Sequence, residues 1–255
     1  MLAFGAAALL LAACGGSSAQ LPAGSTPRAP ATVTVLAAAS LTEAFTRIGE
    51  QLHARSPGLD VRFSFAGSPT LVTQVEQGAA ADVLATADQA NMRKAVAGGL
   101  TAGTPTVFAR NRLVIAVEAG NPRRIASVAD LANPSIKVDV CAPAVPCGAY
   151  AAAVLGRAHV RAAPVSEEQD VKAVLTRVGL GEADAGIVYV TDVRSAGGRV
   201  EGVQIPDDLN TVAEYPIAPL KAARNAVVAR AFVDYVLGGP GQKVLADHGF
   251  LPAGG

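Results

Sequence analysis

The chain has 255 residues, enough for one large packed unit or two small ones sharing a core. Lys plus Arg and Asp plus Glu are 21 each, a net charge of zero that argues against a nucleic-acid partner, while 51% apolar residues exclude a disordered chain. Three His and three Cys are too few and too scattered for a zinc ribbon or an iron–sulfur centre, and the lack of Trp with only 4% aromatics weakens any stacking platform for bases or sugars.

Residues 2–13 carry no charge and are dominated by Leu and Ala. The run is too short to span a bilayer as a helix, which takes about 20 residues, and has the length of a secretory signal's apolar region. It ends Leu11-Ala12-Ala13-Cys14-Gly15, which resembles the lipobox of bacterial lipoproteins, where the Cys is lipid-modified after cleavage before it. Residues 1–13 are therefore expected to be a lipoprotein signal peptide and Cys14 the lipid anchor to the cell membrane. An ordinary signal cut elsewhere is the alternative, and the first charge, Arg28, comes late for either. Residues 14–31 form a Gly/Ser/Pro spacer without periodicity, expected to be a flexible linker to an extracytoplasmic body. Cys141 and Cys147 flank Ala142-Pro143-Ala144-Val145-Pro146. An exported chain can keep them as a disulfide, whose small ring would remove about 2 kcal/mol of unfolded-chain entropy. Two free buried thiols are the alternative.

The body alternates strands and helices. Thr32–Ala37 is an apolar β-branched run, and Ser40–Ala54 has helical spacing through Leu41, Ala44, Phe45, Ile48 and Leu52. Leu59–Phe65 alternates as a strand, Ser68–Gly78 reads as a helix, Ala81–Thr86 as a short strand, and Gln89–Gly98 as a helix stopped at Gly98-Gly99. A buried strand follows at Leu113–Val117, a short helix at Val128–Leu131, a strand at Lys137–Cys141 and a helix around Tyr150–Leu155. Asp170–Val178 reads as a helix, Ala185–Val190 as a strand, Thr211–Pro219 as extended, and Ala222–Leu237 and Gly241–His248 as the closing helices. This order predicts an α/β fold with parallel sheets and places ligand sites at the carboxyl edges of strands.

The chemistry gathers at helix starts. Ser40-Leu41-Thr42-Glu43 is an S-x-x-E capping box directly after a strand. Ser68-Pro69 puts a capping Ser before a Pro at the first helical position. Pro146-Cys147-Gly148 precedes the helix around Tyr150, and Ser166 and Asp170 are two candidate caps farther on. Each start leaves backbone N–H groups unpaired at the positive end of a helix dipole. Several such ends aimed at one point would hold an anion with neutral donors, and none of these segments contains Lys or Arg. Every α/β protein caps its helices, however, and spacing alone does not bring the four starts together.

The run Thr34-Val35-Leu36-Ala37-Ala38-Ala39-Ser40-Leu41-Thr42-Glu43-Ala44-Phe45 resembles the opening of the periplasmic molybdate-binding proteins of bacterial ABC importers. The resemblance continues through Phe65–Leu71, Ala81–Asp88, Asn111–Val114, Val145–Ala151, Glu168–Val171, Gly186–Tyr189, Tyr215–Ala218 and His248–Phe250, and so spans residues 32–252. It implies a two-lobe periplasmic-binding-protein fold, each lobe a mainly parallel sheet flanked by helices, hinged by two crossover strands. Lobe 1 would hold 32–110, lobe 2 111–210, and 211–255 would return to lobe 1. It implies molybdate, and tungstate beside it, as ligand. Ser40 and Ser68 would each give a hydroxyl and an N–H, Cys147 and Val171 an N–H, and Tyr189 a hydroxyl. A membrane permease and its ATPase are the implied partners; no cofactor and no metal beyond the oxyanion are expected, and the protein is expected to be a monomer. Asp170 is read as a helix cap rather than a ligand.

Rival readings are weaker. A serine hydrolase would need a His base near Ser40 or Ser68, and no Gly-x-Ser-x-Gly elbow is present. A cation site would need clustered ligands, and Glu167, Glu168 and Asp170 read as an exposed acidic helix start. Sulfate, phosphate or a small organic acid remain alternative solutes on the same fold.

Overall fold

The computed structural model describes residues 31–254, so the expectations for the signal peptide, Cys14 and all but the last residue of the linker lie outside the described residues. β1 (Ala31–Ala38) runs through a 3-10 turn (Ala39–Leu41) into α1 (Thr42–Arg55). β2 (Leu59–Ala66) leads to α2 (Ser68–Glu76), and β3 (Val83–Ala85) to α3 (Gln89–Ala97). β4 (Thr106–Glu118) is followed by a 3-10 turn (Val128–Ala132), β5 (Val138–Cys141), α4 (Pro146–Arg157), β6 (Pro164–Glu168) and α5 (Val171–Gly179). β7 (Ala185–Tyr189), α6 (Val190–Ser195), β8 (Val200–Gln204), β9 (Val212–Pro219), α7 (Ala226–Leu237) and α8 (Gly239–Asp247) complete the chain.

Two sheets share one strand. In the first, β2, β1 and β3 are parallel, and β9 joins β3 antiparallel. In the second, β6, β5 and β7 are parallel. β4 belongs to both: it pairs with β9 up to Arg112↔Val212 and with β7 from Leu113↔Tyr189 onward, with β8 on its other side. The parallel expectation therefore holds for the three strands carrying helix crossovers, while the strands joining the sheets are antiparallel. The return path differs from a second crossover strand. Residues 205–211 are not a strand; they are pinned by Asn210, whose side chain accepts from Leu113 N (3.1 Å) and donates to Leu113 O (2.9 Å). One amide thus replaces a strand residue at the position where β4 changes sheets.

Four stretches were not legible as elements: the first half of β4, β6, α6 and β8. β6 (PVSEE) lies at the sheet edge, mostly exposed, so its sequence carries no buried face and only its pairing with β5 makes it a strand. Ser166 therefore caps no helix; it sits in β6 and its hydroxyl donates to Glu168 Oε1 at 2.6 Å.

β1 is apolar because both its faces are covered: Val33, Val35 and Ala37 are fully buried with Phe45 and Ile48 of α1. Leu36, Leu71, Val72, Leu84 and Met92 pack on the other face. The few aromatics are concentrated in one line. Phe45 meets Phe108 at 5.7 Å, Phe108 meets Tyr215 at 6.3 Å, and Tyr215 meets Tyr189 edge-on at 5.9 Å, carrying packing from the first sheet into the second.

Two fully buried carboxylates oppose the fold at neutral pH. Asp139, on β5, is pushed up to about 6 by burial and then by Glu168, with Arg177 (3.1 Å) acting against the shift. Asp192, on α6, is likewise pushed up to about 6 by burial, against the pull of Lys172 at 3.3 Å. Because both values lie above the unfolded 3.8, the folded state binds the extra protons. Stability from these groups is present at pH 4 and lost as pH rises through 6. Asp130 and Asp184, both lowered, act oppositely, below pH 3.8. Urea titration should therefore find Asp139→Asn more stable relative to the wild type at pH 7.5 than at pH 4.5, by on the order of 1–3 kcal/mol; a pH-independent difference would refute the assignment.

Cys141, at the end of β5, and Cys147, in the first turn of α4, are joined by a disulfide with their Cα atoms 5.6 Å apart. The tryptic peptide spanning residues 138–157 holds both. Mass spectrometry should find it unmodified by iodoacetamide until the protein is reduced; two alkylated cysteines before reduction would mean free thiols.

Candidate functional site

β1 and β5 are the central strands of their parallel trios, each with the next strand on one side and a later strand on the other. The crevice at the carboxyl end of such a switch point is where an α/β sheet takes ligands. Here two crevices face each other. Ser40, Ser68, Cys147, Val171 and Tyr189 all line one small pocket, with Ala38, Ala39, Ala66, Gly67, Ala87, Val145, Pro146 and Asp170. The cavity is about 10 Å³, against about 400 Å³ for the neighbouring cleft lined by Glu43, Arg194 and His248. It suits something compact.

Neither serine does the capping work its sequence context suggests. α1 starts one residue later than the S-x-x-E box implies, with Leu41 at the N-cap and no side-chain cap. Ser40, 3% exposed, lies in the preceding 3-10 turn with its Oγ 3.0 Å from Tyr215 Oη. Glu43, the other half of the box, instead takes both its oxygens to Lys172 Nζ at 2.9 Å. At α2 the N-cap is Gly67; Ser68 is the first helical residue and Pro69 the second. Ser68 Oγ accepts a bond from Ala87 N at 3.0 Å. Asp170 does cap α5 as read, accepting from Lys172 N (2.8 Å) and Ala173 N (3.0 Å), which leaves the Val171 N–H outside its reach. Val171 and Ser68 at the first helical positions, and Cys147 at the second position of α4, have no intrahelical acceptor.

The hydroxyls are held as donors. Ala87 N–H occupies the Ser68 oxygen as an acceptor, so its hydrogen is left for the pocket. Tyr189, 1% exposed, has no hydrogen-bond partner for its Oη, and burial pushes its pKa well above the usual tyrosine value, so the proton stays. Behind Ser40 runs a relay that sequence reasoning missed. Arg112 N donates to Asn111 Oδ1 (3.0 Å), which turns the Asn111 amino group toward Thr191 Oγ1 (2.8 Å) and Tyr215 Oη (3.5 Å). With its oxygen facing that donor, Tyr215 directs its own hydrogen to Ser40, and the Ser40 hydrogen is free to point forward. The signal available was Asn111 itself, a polar residue opening the apolar run 113–117.

No Lys or Arg lines the pocket. Lys172, next to Val171 in the chain, is turned away to Glu43, Asp192 and Ser195. The positive potential comes from helix starts and backbone N–H groups. Such a site binds a small anion that offers only acceptors.

Comparison with known proteins agrees with this geometry. A profile of the bacterial extracellular solute-binding protein family matches residues 33–251. The molybdate-binding protein ModA of Mycobacterium tuberculosis (strain H37Rv) is 47% identical over 241 residues, covering 94% of this chain and 92% of the relative. ModA of Escherichia coli K12 is 32% identical, covering 86% of this chain and 88% of its own. Among solved structures, the periplasmic molybdate-binding protein of Azotobacter vinelandii superposes with a TM-score of 0.76 at 18% identity, covering 86% of this chain and 98% of that one. The sulfate-binding protein SubI of M. tuberculosis reaches 0.79 at 19%, covering 88% of each, so the fold is shared by binders of different oxyanions. The chain belongs to the bacterial extracellular solute-binding protein family.

Proposed function

We propose that this protein captures molybdate, and tungstate with it, between two lobes outside the membrane and delivers it to the permease and ATPase of an ABC importer. The observation that carries the reading is the buried, unpartnered Tyr189 hydroxyl facing a pocket of helix starts with no cation in its lining. In this reading Ser40 and Ser68 each give a hydroxyl and an N–H, Cys147 and Val171 give N–H groups, and Tyr189 gives its hydroxyl. The name borne by relatives at 47% and 32% identity supports molybdate as the ion. The lobes are 32–110 with 211–255, and 111–210, and they close about β4 and residues 205–211. Cys14 is the lipid anchor, and one chain acts alone.

A set of donors without an acceptor favours a fully deprotonated dianion. Phosphate carries a proton near neutral pH and would leave it unmatched. Sulfate has the charge and shape of molybdate but is smaller, so the discrimination between them rests on cavity size. Calorimetric titration of the purified protein should give tight one-to-one binding of molybdate and tungstate and weak or no heat from sulfate and phosphate. Heat from sulfate alone would keep the receptor and change its ion; silence from all four would end the oxyanion reading.

Ser40→Ala and Ser68→Ala should each weaken molybdate binding by roughly 1–3 kcal/mol, the range for a lost bond to a charged group. Tyr189→Phe should cost less, because backbone donors remain. Unchanged affinity in both serine variants would overturn the site.

A further inference from the structure

Gly67 is the N-cap of α2, on the rim of the pocket, and nothing in its own lobe explains why it is glycine. Its φ of −61° and ψ of 142° suit any residue. As an N-cap, Gly ranks below Ser, Asp and Asn. A Cβ built on it would meet three atoms within 4 Å, and all belong to segments of the second lobe: the backbone O of Gln169 at 2.1 Å, its carbonyl carbon at 3.3 Å and Val145 Cγ1 at 3.6 Å. The first-lobe side of this position is open.

We infer that Gly67 is a positioning residue that sets how far the lobes can close. The inference rests on the oxyanion reading for its ligand and on the close approach alone for its mechanism. The missing side chain lets the Gln169 carbonyl come down on the N-cap of α2. Gln169 directly precedes Asp170 and Val171, so this contact brings the free Val171 N–H of α5 to the side of the pocket opposite Ser68. A methyl group at Gly67 pushes the Gln169 oxygen back by about an ångström before ordinary contact distance is reached. Because the obstacle is backbone, no rotamer change relieves it. The donors of one lobe are then held away from an ion seated on the other, while the isolated lobe is untouched.

The test is hydrogen exchange on wild type, Gly67→Ala and the control Gly58→Ala, whose Cβ would meet nothing within 4 Å. Each is measured with and without molybdate, beside melting and calorimetry. Gly67→Ala should melt at or slightly above the wild-type temperature without ligand, since removing a glycine restricts the unfolded chain. It should exchange faster than wild type at residues 143–149 and 167–173 in both conditions, and bind molybdate about 10–100-fold more weakly, the scale of an ångström's misplacement. Gly58→Ala should match the wild type. Wild-type exchange in those two segments of Gly67→Ala overturns the inference, whatever the affinity. If the wild type itself binds no molybdate, the ligand reading falls, and the exchange comparison without the ion still decides the role of Gly67.

Discussion

A buried N–H or O–H with nothing to bond costs stability, and this protein keeps several of them aimed at one point. The rest of the structure follows from that constraint. Ser40 and Ser68 are excused from capping their own helices: Leu41 and Gly67 take the N-cap positions, neither with a side-chain cap. Each hydroxyl is then oriented from behind, Ser68 by Ala87 N and Ser40 by Tyr215, whose neighbour Asn111 is set by the backbone of Arg112. Tyr189 is shielded by the packing of its ring against Tyr215. The donors are unsatisfied by design of the surroundings, and a matching ion completes them without a charged side chain.

Placing donors from two sheets around one cavity requires a connection that is firm at the hinge and permissive at the rim. β4 supplies the first, as one continuous strand hydrogen-bonded to both sheets. Small side chains supply the second: Ala38, Ala39, Ala66, Gly67 and Ala87 line the first-sheet side of the pocket, so backbone can approach backbone. The Glu43–Lys172 pair then bridges α1 and α5 at half-exposed positions, where an ion pair guides orientation more than it adds stability.

Much of this was legible in the sequence, for identifiable reasons. β1, α1, α2, α5 and β7 carry strong periodicity or unbroken apolar runs because each is packed on by the layers above and below it. The five proposed ligand residues were named from helix-start chemistry and family resemblance, and they do line a common pocket. What escaped depends on partners distant in sequence. β6 is a strand only through β5, and the first half of β4 only through β9, 100 residues later. The capping box at Ser40–Glu43 misled because local pattern describes what a side chain can reach nearby, whereas Tyr215 and Lys172 offered better partners from 175 and 129 residues away.

The shared strand also orders the events of folding. Residues 113–204 hold every strand of the second sheet, so that sheet can be completed from one contiguous stretch. The first sheet cannot. Until β9 emerges, β3 has an open edge of unpaired N–H and C=O groups, and α7 and α8 are not yet there to cover the sheet's face. In a chain that emerges from its N-terminus, the half made first is thus the half finished last, and its core stays exposed for nearly the whole length of synthesis.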